Sequence, residues 1–180
     1  MAFEIVRLSR GVLRLTADAQ ISGSEDFEAL AEEAAQLGVI CVRALKVGYV
    51  AARQADHEEE VITLVDGTET RNVARVGDWI VTNMDANQMV LRDGDGQVNS
   101  YVIRRDRFGE LYEPTGARNE FGDVYRAKGV VEAVAFAGGF DIVAPWGERQ
   151  RAEAGYIVRK GGDVYGVHWR AFEATYEITK

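Results

Sequence analysis

SYVIRRDRFGELYE, residues 100–113, is echoed near the end of the chain by VYGVHWRAFEATYE, residues 164–177. Tyr101, Phe108, Tyr112 and Glu113 return as Tyr165, Phe172, Tyr176 and Glu177, each pair 64 positions apart, so the two stretches keep one register. Phe108 and Tyr112, like Phe172 and Tyr176, are four residues apart, a spacing that sets both rings on one face of a helix. Such a pair can cover the open side of a small sheet, and buried aromatic area is an efficient core for modules of about 60 residues. This packing role is preferred over an aromatic ligand cage.

The similarity extends upstream. Tyr156-Ile157-Val158 resembles Trp79-Ile80-Val81 at a shift of 77, with Gly155 or Gly77 just before. The larger shift places an insertion in the first copy, at about 84–100, where Asp93-Gly94 and Asp95-Gly96 are hairpin-turn signals. Further back, residues 61–69 and 141–149 align more weakly, on Ile62 with Ile142 and Gly67 with Gly147. Two tandem, mainly antiparallel β modules are expected, 44–118 and 125–180, each with a hairpin, a "G…(W/Y)IV" strand, a strand starting at Tyr and a short helix ending in Tyr-Glu.

Residues 1–43 form an N-terminal segment. FEIVRL and GVLRLTADAQI read as strands around Gly11, and a helix follows. Ser22 or Ser24 can cap this helix, Ser22 and Glu25 have capping-box spacing, and Gly38 offers a stop. Phe27, Leu30, Ala31, Ala34 and Leu37 fall on one face, with Glu28, Glu32 and Glu33 toward water. The branched apolar residues of VICVRALKVGYVAARQA favour strand. The fold class is α+β: a strand–helix segment followed by the two β modules.

A hydrophobic content of 47% over 180 residues can bury a core, and only 2 prolines argue against a long linker. The formal charge of −8 opposes binding to nucleic acid, because neutralisation of phosphates by Lys and Arg supplies much of that affinity. The basic run RRDR, 104–107, is interrupted by Asp106 and fits a solvated strand-to-helix edge. Cys41 is the single cysteine, so no internal disulfide forms, and a buried inert thiol in a reducing cytoplasm is the simplest expectation. The N-terminus carries no apolar run of signal-peptide length and no stretch approaches 18 apolar residues, so neither export by that route nor a membrane span is expected.

The run VGDWIVTN…SYVIRRDRFGELYEPTG resembles a small domain of bacteriophage and prophage proteins of unknown function. Its pattern is Pro-Gly-Asp-Trp-(Ile/Leu), a short turn, a Tyr-bearing strand, then Phe-x-x-x-Tyr-Glu-Pro. Gly77, Asp78, Trp79, Ile80, Phe108, Tyr112, Glu113 and Pro114 match it, Val76 replaces the leading proline, and the insertion lengthens the turn. The match covers about 40 residues, with Phe172 to Glu177 a degraded second copy. The resemblance implies mobile-element ancestry and carries no catalytic residue across.

A search for chemistry finds no phosphate loop, dinucleotide fingerprint, G-x-S-x-G elbow, CxxC or HExxH. HEEE, 57–60, has ligand-type side chains, but neighbours on a strand alternate faces and do not all converge. DGDGQVN, 93–99, alternates Asp93 and Asp95 like a calcium loop, yet its twelfth position is Arg104 instead of Glu. His168 has no Ser or Cys nearby in sequence to serve as its nucleophile. No catalytic residue, metal site or cofactor is assigned.

Two functional readings remain. One is a non-catalytic protein-interaction or structural accessory module of phage or mobile-element type, acting as a homo-oligomer or on a protein partner. The alternative is a small-ligand-binding protein or cryptic enzyme with a site between the two modules, using Arg149, Gln150, Arg53 and Gln54. Trp146 is the ring the repeat does not explain, since Trp79 corresponds to Tyr156 while Trp146 aligns with Asp66. It is expected either to pack against the other module or to meet a partner, as indoles beside arginines do at binding hot spots.

Overall fold

One phenylalanine of each repeated stretch, Phe108 or Phe172, pins a seven-residue helix to a sheet by stacking on a strand aromatic. In this computed structural model, which describes residues 3–21, 23–65 and 68–179, the chain divides into two compact units. Unit 1 comprises Met1–Leu45, Val130–Glu173 and Ile178–Lys180, and unit 2 comprises Lys46–Gly129 and Ala174–Glu177. The architecture is α+β and mostly β, with predominantly antiparallel pairing and a parallel contact between the strands Val12–Gln20 and Phe140–Val143. The N-terminal strands and helix, expected as a segment of their own, belong to unit 1 together with the C-terminal strands. No helix among the described residues is long and apolar enough to cross a membrane.

Unit 1 opens with the hairpin β1 (Glu4–Ser9) and β2 (Val12–Gln20), followed by α1 (Gly23–Gln36) and β3 (Val42–Lys46). After the passage through unit 2 come β11 (Val130–Phe136), β12 (Phe140–Val143), β13 (Arg149–Ala152), β14 (Gly155–Lys160), β15 (Asp163–His168), α3 (Trp169–Thr175) and β16 (Tyr176–Thr179), of which Ala174–Glu177 group with unit 2. One sheet has the order β1-β2-β12-β13, with β12 parallel to β2, and the other the order β15-β14-β11-β3-β16. Phe27, Leu30 and Ala34 of α1 are buried as the helical spacing requires, in a core with Leu13, Leu15, Phe136, Ile142 and Ile157. The proposed Ser22 cap lies outside the described residues. Gly38, at φ +93°, takes the left-handed conformation that ends α1, as its position in the sequence indicates. Phe140 enters the same core because Gly155 and Gly166 have no Cβ, which at Gly166 would stand 2.3 Å from the ring.

Unit 2 contains β4 (Tyr49–Gln54), the hairpin β5 (Glu59–Val65) and β6 (Thr68–Ala74), β7 (Trp79–Met84), β8 (Ser100–Ile103), α2 (Arg105–Leu111), β9 (Tyr112–Asn119) and β10 (Gly122–Ala127). Its main sheet runs β8-β7-β4-β10-β9. The expected insertion at 84–100 is a pair of tight turns stitched by the bridges Met84–Val90 and Arg92–Val98. The Asp85 carboxylate accepts the N–H groups of Asn87 and Met89, and Asp93 does the same for Asp95 and Gln97. An aspartate thus closes each loop, with the left-handed position taken by Gln88 (φ +63°) in the first and Gly96 (φ +79°) in the second.

Trp79 stacks on Phe108 at 4.0 Å between ring centroids and 13° between planes, with Tyr125 edge-on to both. In unit 1 Tyr156 stacks on Phe172 at 3.8 Å and 16°. Both phenylalanines are almost fully buried, and the rings around Phe108 fill the space that a ligand cage would need to leave open. One boundary differs from the sequence reading. Each helix ends before its Tyr-Glu, at Leu111 and Thr175, and Tyr112 and Tyr176 begin the next strand. Tyr112 is extended because it pairs with Ala127, and its hydroxyl meets that of Tyr101 at 2.9 Å.

Loss of either phenylalanine ring should be costly. Phe108→Ala and Phe172→Ala are each expected to lower stability by about 3–5 kcal/mol in urea unfolding, the range for a buried ring replaced by a cavity. A change below about 1 kcal/mol in either variant would contradict the pinning role.

Candidate functional site

The tight connection between β12 and β13 brings Trp146 to the surface. Ala144 N–H bonds the Glu148 carbonyl and Gly147 N–H the Ala144 carbonyl, both at 2.8 Å, with Gly147 at φ +87°. The Gln20 amide of β2 donates to the Ala144 and Pro145 carbonyls, fixing the turn from the neighbouring strand. The Trp146 indole is 54% exposed, lies 6.2 Å from the Tyr165 ring, and donates from Nε1 to Glu148 Oε2 at 2.6 Å. Its ring face is thus held in place and open to solvent. Asp66 and Gly67, with which this turn aligns in sequence, lie outside the described residues.

Beside it, cross-strand register sets charges together. Asp141 faces Arg151 and Val143 faces Arg149 across the β12–β13 pair. Arg149 grips Asp141 through two hydrogen bonds, at 2.8 and 3.0 Å, and Arg151 Nε adds a third contact at 2.9 Å. These hydrogen bonds, chiefly that from Arg149, hold the Asp141 carboxyl below the usual carboxylate range. Gln150 points the other way and accepts the Gly166 N–H at 2.7 Å. Trp146, Arg149 and Gln150 therefore share one hairpin of unit 1.

Arg53 and Gln54 lie on β4 of unit 2. Arg53 makes a bidentate pair with Glu59, both bonds 2.8 Å, and Gln54 donates to the Gly77 carbonyl at 3.4 Å. The HEEE run divides as strand alternation requires: Glu59 takes Arg53, while Glu60 bonds Arg71. His57 is exposed and bonded to Asp56 at 2.6 Å. His168 is buried and accepts the Arg170 N–H at its Nδ1.

Gly77, Asp78 and Trp79 form a structural knot. Asp78, only 5% exposed, accepts the N–H groups of Arg75 and Arg105 and a 2.6 Å bond from the Arg104 guanidinium. Burial pushes its pKa up, but these hydrogen bonds outweigh burial and leave the carboxyl below its ordinary value. The RRDR run is thus partly spent on tying the start of α2 to the turn before β7. Spacing alone does not predict this clamp or the Gln20 support of the Trp146 turn, because these contacts join residues far apart in the chain.

Comparison with family models, with curated proteins and with solved structures finds no match for the chain.

A carboxyl whose folded pKa lies below its unfolded value contributes stability that is present above about pH 4 and is lost as pH falls through the folded value. Asp78→Ala should remove that contribution and leave two N–H donors without their acceptor, at a cost of about 1–3 kcal/mol at neutral pH. Thermal melts should then show a smaller drop in stability from neutral to acid pH in the variant than in the wild type. An equal drop would exclude Asp78 as a source of the acid sensitivity.

Proposed function

We propose that this chain is a non-catalytic protein-interaction or structural accessory module of phage or mobile-element type, acting in the cytoplasm and meeting further copies of itself through Trp146. The observation that carries the reading is a half-exposed indole fixed from two sides on a rigid hairpin turn. A ring held in advance loses little conformational freedom on contact, and tryptophan with neighbouring arginine dominates many interfaces. Asp141 already balances Arg149 and Arg151 in part, so the patch adds little charge repulsion between acidic copies.

A duplicated origin for the two β regions is part of the same proposal. It is supported by the matching succession β7-β8-α2-β9 and β14-β15-α3-β16, by the shared sheet order and by the equivalent aromatic stacks. Hydrogen bonds where the chain passes from one sheet to the next also correspond. Ala127 N–H bonds the Gly48 carbonyl as Lys46 N–H bonds that of Gly129, and Lys128 meets Leu111 as Val47 meets Thr175. In each case the strand leading into a central strand, β3 before β4 or β10 before β11, is hydrogen-bonded in the sheet of the other central strand. The ligand-site alternative has less support, because Arg149, Gln150, Arg53 and Gln54 all have partners within their own unit.

A variant retaining Trp146 as its only tryptophan, made by Trp79→Phe and Trp169→Phe and checked for folding, tests the contact role. Dilute protein should give red-shifted emission readily quenched by acrylamide, and emission should shift to the blue as concentration rises and sedimentation shows association. Trp146→Ser in the natural chain should abolish that association. Protected, blue-shifted emission in the dilute monomer, or a monomer at every concentration, would overturn the assignment.

A further inference from the structure

We infer that the open cavity between the β1–β2 turn and the end of α1 binds a small organic anion, gripped by Arg7 and Arg10. The cavity measures about 540 Å³ and is lined by Arg7, Arg10, Gly11, Gln36, Leu37 and Gly38. That volume lies within the range of about 300–1,000 Å³ usual for small-molecule sites. Two guanidiniums line it and no carboxylate does.

That composition stands out in an acidic chain whose arginines are mostly occupied. Arg53, Arg104, Arg126, Arg149 and Arg159 each hold a carboxylate. Arg7 and Arg10 are exposed, and neither guanidinium has a hydrogen-bond or ion-pair partner among the described residues. A β-bulge explains how both reach one place. The β1–β2 register shifts between Arg7, opposite Leu13, and Ser9, opposite Val12. The extra residue resets the alternation of faces, and Arg10 joins Arg7 at the cavity where regular alternation would separate them.

The end of the helix does not account for the two arginines. The carbonyls of Glu33, Ala34 and Ala35 in its last turn are satisfied by the chain itself: Leu37 N–H bonds Glu33 and Ala34, Gly38 bonds Ala35, and Val39 bonds Ala34. Gly11 and Gly38, both at positive φ, leave open space where a Cβ would stand, which keeps the floor of the cavity clear. Leu37 offers an apolar contact and Gln36 an amide donor. Guanidiniums bind carboxylates and phosphates in the same forked geometry, so the ligand class is a small organic molecule bearing either group.

Calorimetric titration with pyrophosphate and with citrate, at constant ionic strength set by sodium chloride, tests the site. Saturable binding of at least one probe is expected, and the preferred probe distinguishes a phosphorylated from a carboxylate ligand. Arg7→Gln and Arg10→Gln should each weaken it at least about tenfold, the loss of one charge-assisted hydrogen bond. Arg75→Gln, a change at an exposed arginine of unit 2, should leave it unaltered. In the wild-type chain the amide resonances of Gly11 and Gly38 should move during titration. Failure to saturate with both probes, equal weakening in all three variants, or shifts that spare Gly11 and Gly38 would each overturn the inference.

Discussion

Stacking of a sheet aromatic on a helical phenylalanine is the contact on which both units depend. Helices of seven residues are too short to be stable alone, because nucleation is unfavourable and few backbone hydrogen bonds repay it. Trp79 on Phe108, and Tyr156 on Phe172, provide the missing stabilisation by burying two faces of aromatic surface against each other. With the helix fixed, the residue that follows it can turn into a strand, and Tyr112 does so at the edge of its sheet. In unit 2 the polar knot at Asp78 fixes the opposite end of the same helix. A ring contact in the middle and a carboxylate at the start together set the helix over its sheet.

The carboxylates of this acidic chain are organised by arginine. Asp141, Glu59, Glu113 and Glu132 each accept from a guanidinium on an adjacent strand or turn. Exposed pairs of this kind contribute little stability individually. Their main consequence is that they occupy chemistry-bearing groups, leaving few charged side chains disposed to act on a ligand. Against that background, the exposed ring of Trp146 and the guanidiniums of Arg7 and Arg10, which have no partner among the described residues, are features that the fold itself does not use.

Local spacing determined much of this protein in advance. The apolar face of α1, its glycine stop and the Asp-Gly turn at 93–96 each express a rule acting over a few residues, and the structure follows them. The fourfold spacing of the aromatics does not set both rings on one helix face, because Tyr112 and Tyr176 leave the helix for the next strand. Each of the two stretches related by the 64-residue register holds a short helix with a buried phenylalanine, Phe108 or Phe172. Tertiary structure decided what spacing does not encode. Strand β3 lies beside β11, far along the chain, and the first strands are grouped with the last because sheet order is fixed by which apolar faces can be buried together. The same is true of the candidate sites: the Gln20 support of the Trp146 turn, the clamp on Asp78 and the bulge that brings Arg10 beside Arg7 arise from how strands are aligned, where a shift of one residue turns a side chain to the opposite face.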